Sequence, residues 1–197
     1  MISSEEDMLE SNILERQGKY ILGTLSNNFI PRKIQKCSPS WIPEVRRWAH
    51  VAALFWDEAY QTFCVIESHF QTGVNKSTFA NWLRVNNEST VIHIFAHPYL
   101  KVSSLHSYIG FPYGAKDIKY LAFEKILNRK ITRKDSSGIY CSELMLKCDN
   151  NFLSKACNDL KPNESRPTDI QEWALENTKI TDLTIICPKL GVTDSEN

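Results

Sequence analysis

Arg47-Trp48-Ala49-His50-Val51-Ala52-Ala53-Leu54-Phe55 and, five residues later, Gln61-Thr62-Phe63-Cys64-Val65-Ile66-Glu67-Ser68 are the stretches on which the fold turns. Each is an apolar run of strand length, the first interrupted by one His and the second by one Glu. The intervening Trp56-Asp57-Glu58-Ala59-Tyr60 is short and polar enough to be a hairpin turn. A turn centred between Glu58 and Ala59 sets His50 directly opposite Glu67, on one face, with β-carbons about 5 Å apart. A slip of one residue would break the pairing. Neither ionisable group is cheap to bury without a partner.

Upstream, Lys19–Leu25 (KYILGTL) reads as a strand. Residues 3–18 are polar with sparse apolar points at Met8, Ile13 and Leu14, a surface helix or a mobile arm that Gly18 would end. Residues 26–43 are rich in Asn, Ser, Pro and Lys and read as a loop. Downstream, Ser77 to Leu83 is predicted helical with Phe79, Trp82 and Leu83 on its apolar side, and Thr90 to His97 is a strand stopped by Pro98. Residues 99–118 read as a structured loop containing Tyr108-Ile109-Gly110-Phe111-Pro112-Tyr113-Gly114, and residues 117–129 have helical spacing. Ser136-Ser137-Gly138 leads into Ile139-Tyr140-Cys141-Ser142-Glu143-Leu144-Met145-Leu146-Lys147-Cys148, a helix beginning near Tyr140 with Leu144, Met145 and Cys148 on one face. Thr168-Asp169-Ile170-Gln171 resembles the capped start of a helix over 169–176, and Ile180–Ile186 is a closing strand. The sum is an α+β domain over 18–190, an antiparallel sheet of about five or six strands with helices packed on it. A polar arm (1–17) and a tail (191–197) flank it.

Composition excludes several classes. With 23 basic and 23 acidic side chains in 197 residues the formal net charge is +0, so no nucleic acid or anionic membrane is expected as a bulk electrostatic partner. No apolar run reaches membrane-spanning length, and the acidic start Met1-Ile2-Ser3-Ser4-Glu5-Glu6-Asp7 is unlike a secretory signal, so no transmembrane segment and a cytoplasmic location are expected. In that setting the six cysteines (37, 64, 141, 148, 157, 187) are expected as thiols. No C-x-x-C pair is present, and His93 and His97 lie on a strand without H-E-x-x-H, so neither a metal nor a cofactor is expected. Arg129-Lys130-x-x-Arg133-Lys134 reads as a solvated face, or a receiver for an anionic substrate.

Cys141 carries three marks of a reactive thiol. It lies at a predicted helix start, where unpaired N–H groups and the helix dipole favour a thiolate. It follows a loop of small residues that permits close approach, and it sits among polar neighbours. Cys64, mid-strand, and Cys148, on a core-facing helical position, read as structural. A thiolate nucleophile needs an imidazole to take and return its proton, and that imidazole needs an orienting polar group. His50 and Glu67 supply both. Taken singly, each of the three is more often a packing or surface residue; their combination is what points to catalysis.

The order W-A-H-V-A, then V-I-E-S-x-x-x-x-G-V, then Y-C-S-E-L resembles the circularly permuted branch of the NlpC-type papain-like enzymes, the YiiX/YaeF-like proteins and their poxvirus relatives. There the His and Glu strands precede the Cys helix, reversing the usual papain-like order. The resemblance covers roughly residues 18–187. It implies a permuted papain-like fold, with Cys141 as nucleophile, His50 as base, Glu67 as orienting acid, and Tyr113 lining the substrate site. Tyr140 and Ser142, flanking Cys141, are assigned to the same site. The implied activity is a cysteine hydrolase acting on a peptide, amino-acid amide or acyl ester through a Cys141 thioester. The alternatives are a catalytically silent binding or virus-associated structural module on the same fold, and a lipid acyltransferase or esterase. The departures from the family are the long 26–43 segment, the acidic arm and Gly114 where an acidic residue is common.

Overall fold

Among the described residues six strands, all paired antiparallel, form one sheet in the order β4-β3-β2-β1-β5-β6. They are β1 (Lys19–Leu25), β2 (His50–Asp57), β3 (Thr62–His69), β4 (Gly73–Thr78), β5 (Val91–Ala96) and β6 (Thr181–Leu183). This computed structural model describes residues 14–25, 41–86, 91–114, 138–157, 159–178 and 181–183. The helices among them are α1 (Phe79–Val85), α2 (Val102–Ser107), α3 (Cys141–Lys147), α4 (Phe152–Ala156) and α5 (Pro167–Asn177). The α+β architecture matches the reading of the sequence. The cluster at Arg129–Lys134, the 117–129 helix, Cys37 and Cys187 lie outside the described residues.

Alternation along the strands builds a core on each face. Val51, Ala53 and Phe55 of β2 join Cys64 and Ile66 of β3 in one cluster, which α3 completes with Cys141, Leu144, Met145 and Leu146. Ala52 and Leu54 join Phe63 and Val65 in the other, with Phe79 and Trp82 of α1. Leu14, expected to belong to the polar arm, is buried in this second cluster. Among the described residues no helix is long and apolar enough to cross a membrane.

The β2–β3 hairpin forms, but its register differs from the predicted one. Asp57 pairs with Thr62, Phe55 with Cys64 and Ala53 with Ile66, so the loop is Glu58-Ala59-Tyr60-Gln61, centred between Ala59 and Tyr60. Asp57 explains the displaced turn: its Oδ1 accepts from the backbone N–H of Ala59 and Tyr60, an Asx-type closure, and Gln61 takes a left-handed φ of 49°. His50 and Glu67 are therefore not directly opposite. The slip is two residues in pairing, so the side-chain alternation is preserved and the two remain diagonal neighbours within reach of long side chains.

Other differences have local causes. Gly73–Thr78 was not expected as a strand because its polar run (GVNKST) lacks alternation. It is the sheet edge, where Lys76 pairs with Asp57. Ser77 thus belongs to β4, and the helix starts at Phe79 with the Thr78 hydroxyl accepting from the Asn81 N–H. Val102–Ser107, within the expected loop, is a short helix. The last helix begins at Pro167, a residue preorganised for the first turn, with Asp169 bonded back to the Arg166 N–H at 2.7 Å. Thr168 is not its cap but is fully buried, and Gln171 instead reaches 123 residues back along the chain. Its Oε1 accepts from the Trp48 N–H at 2.7 Å, and its Nε2 donates to the Arg46 carbonyl at 2.8 Å. That clamp fixes the segment that leads into β2.

Candidate active site

His50 is the first residue of β2, beyond the last β2–β3 pair, Ala53–Ile66. On the other side β1 holds it, through the His50–Thr24 pair. From this position its Nε2 meets Glu67 Oε2 at 2.7 Å. Both groups are shielded, with 19% of the His50 side chain and 8% of the Glu67 side chain exposed. The nitrogen left for other partners is Nδ1, and Cys141 is near enough to act on the charge of the ring. The three side chains picked out in the sequence therefore meet.

Electrostatics agree with the geometry. Burial by itself lowers the His50 pKa, but the Cys141 charge and hydrogen bond, followed by those of Glu67, override it and raise it from 6.5 to about 10. For Glu67, burial opposes ionisation, yet the His50 hydrogen bond and charge, then the Trp82 hydrogen bond, leave the carboxyl below its ordinary value. An imidazolium held between a sulfur and a carboxylate is the arrangement that favours a thiolate.

Cys141 opens α3, after Tyr140 in extended conformation at the N-cap. Gly138 explains how the chain gets there: a β-carbon on it would lie 2.7 Å from the Tyr113 carbonyl, so only glycine lets these segments touch. Tyr113 and Ile139 bridge, the Ile139 N–H donates to the Pro112 carbonyl at 3.0 Å, and the Ser68 hydroxyl donates to the Ile139 carbonyl. These bonds tie the Cys141 approach to β3 next to Glu67.

Of the residues assigned to substrate, Tyr113 bridges to Ile139, two residues before Cys141. It is half-buried, and burial, then the Cys141 charge and the Tyr140 charge, raise its pKa. Phe70 meets its ring edge-on at 5.7 Å. The hydroxyls of Tyr140 and Ser142 bond to a different segment. The Ser142 side chain is fully buried and its hydroxyl donates to the Ser165 carbonyl at 3.1 Å. Tyr140 is 2% exposed, its hydroxyl 3.2 Å from the Pro162 carbonyl. Both hold α3 against the 162–165 segment.

Sequence reasoning missed Trp82. Read only as an apolar helix position, it donates its indole N–H to Glu67 Oε2 at 2.9 Å. The available signal was that a buried indole N–H usually finds an acceptor. Of the remaining histidines, His93 accepts the Trp48 indole N–H at 2.9 Å. His97 is fully buried with its Nε2 3.6 Å from Asp149, ringed by Phe95, Tyr99, Phe152 and Trp173. Among the described residues no group of three or more His, Cys, Asp and Glu side chains is placed to hold a metal ion.

No protein-family model matches the chain, and no curated protein or solved structure matches it significantly.

Proposed function

We propose that the chain is a cysteine hydrolase of the permuted papain-like type, cleaving an amide or ester bond through a thioester on Cys141. The observation that carries this reading is one imidazole bonded to a buried carboxylate and electrostatically coupled to a sulfur at a helix start. The chain order of the three, His strand, Glu strand, then Cys helix, is the order of the permuted enzymes.

In the proposed cycle the Cys141 thiolate attacks the substrate carbonyl carbon and a C–S bond forms. The oxygen of the tetrahedral intermediate faces the first turn of α3, whose N–H groups have no intrahelical partner. As the intermediate collapses, the bond to the leaving amine or alcohol breaks, and His50 delivers its proton to that group. Water then attacks the thioester, with His50 taking a proton, and the acid product leaves as Cys141 regains its thiolate beside imidazolium. Glu67 keeps the ring oriented and stabilises its charged form throughout. Tyr113, bridged to Ile139 on the approach to Cys141, lines the substrate side of the site.

The test is trapping. Incubation with a library of peptide amides and acyl esters, followed by intact-mass analysis, is expected to give an acyl adduct that maps to Cys141 and is released by hydroxylamine. Hydrolysis that persists unchanged in Cys141→Ser, with no adduct on the unaltered protein, would overturn the reading.

A further inference from the structure

The carboxylate of the site has a second donor. Glu67 Oε2 accepts from His50 Nε2 at 2.7 Å and from Trp82 Nε1 at 2.9 Å, two N–H groups converging on one oxygen from different elements. We propose that Trp82 is a positioning residue that holds the acceptor oxygen of residue 67 against the imidazole, and through it the orientation of the His50 ring. The proposal rests on reading Cys141, His50 and Glu67 as one catalytic unit.

An indole N–H donates and never accepts, so the atom it meets must be an oxygen. That oxygen then receives from the His50 nitrogen as well, which must carry a proton. His50 is held with its proton on Nε2, and Nδ1 remains for exchange with the sulfur. The indole is itself immobile. Trp82 is 1% exposed, Phe79 stacks on it at 6.2 Å with planes 25° apart, and α1 is capped by Thr78.

The two faces of the sheet meet here. Cys141 belongs to the core cluster on the α3 face, and Trp82 to the cluster on the α1 face. The chain of contacts from sulfur to imidazole to carboxylate to indole links them at the end of the β2–β3 pair. Packing of α1 is thereby tied to the geometry at the sulfur.

The experiment follows the rate of iodoacetamide alkylation at Cys141 against pH, read by peptide mapping, in the full chain and three variants: Trp82→Phe, Glu67→Gln and the double. Folding is checked by circular dichroism. Trp82→Phe is expected to lower the Cys141 rate roughly tenfold, the loss of a hydrogen bond to a charged group, and to narrow its pH range. Glu67→Gln is expected to keep much of the rate, because Trp82 turns the amide oxygen toward His50. The double variant should fall by more than the product of the singles, since the amide is then able to flip and present its NH2 to His50. A Trp82 that merely fills space would lower the melting temperature while leaving the wild-type pH profile, and the single effects would multiply; either result overturns the proposal. Should Trp82→Phe not fold, Glu67→Gln against Glu67→Ala decides: equal rates mean that no oxygen is held toward His50, and the proposal fails. An unaltered protein whose Cys141 reacts no faster than Cys148 and Cys157 rejects the catalytic reading as well. A reactive Cys141 unaffected by Trp82→Phe rejects this proposal alone.

Discussion

At the scale of the residue, the site is defined by contrast between thiols. Burial, then the Asp149 charge, raises the Cys148 pKa to about 12, and burial, then the Asp169 charge, does the same for Cys157. Of these, Cys141 is the one coupled to a histidine. In the unaltered protein Cys141 is expected to be alkylated far faster than either at mildly acidic pH, and His50→Ala to abolish the difference; peptide mapping after limited labelling reads this directly. The same substitution leaves the Glu67 carboxylate buried without its imidazole partner, and is expected to cost about 3 kcal/mol in denaturant melts. A pH dependence follows with a defined sign. The His50 pKa is raised from 6.5 to about 10, so its stabilisation is complete below 6.5 and is lost as pH rises through about 10. The Glu67 pKa is lowered from 4.5, so its stabilisation is present above 4.5 and is lost as pH falls below that value. Melting temperatures against pH should therefore decline on both sides of a mildly acidic plateau, with the alkaline decline reduced in Cys141→Ser.

At the scale of the element, the approach to α3 depends on one close contact. Gly138→Ala places a β-carbon against the Tyr113 backbone, and is expected to cost about 1–3 kcal/mol by melting and to slow Cys141 alkylation by displacing the helix start. Thr78→Ala removes the α1 cap and should cost about 0.5–2 kcal/mol, with a smaller effect on Cys141 because Trp82 remains packed. Element existence was largely legible in the sequence, since β1, β2, β3, β5 and the start of α3 all carry apolar runs or spacing. The hairpin register was not, because Asp57 closes a turn centred one residue further along through its own side chain, a choice that apolar pattern does not encode. His50 and Glu67 met regardless, for a shift of two leaves the face unchanged. β4 and α2 were missed because edge position and a six-residue helix leave little periodicity to read.

At the scale of the whole molecule, the site is assembled from distant parts. The Gln171 clamp on Trp48 joins the last helix to the strand that bears His50. Gln171→Leu leaves the buried Trp48 N–H and the Arg46 carbonyl without that partner, and should destabilise by about 1–3 kcal/mol while slowing Cys141, seen in paired melting and alkylation measurements. Such long-range polar contacts, like the Trp82–Glu67 bond, cannot be read from local pattern, because only the fold brings their partners together. What the sequence did carry was three chemically odd residues in three ordinary segments. The most direct measurement is an NMR pH titration of the His50 ring in the unaltered protein and in Cys141→Ser. Sulfur, imidazole and carboxylate acting as one unit predict protonation that persists to about 10 and a marked fall in the variant. A ring that titrates near 6.5, or at the same pH in both proteins, would contradict it.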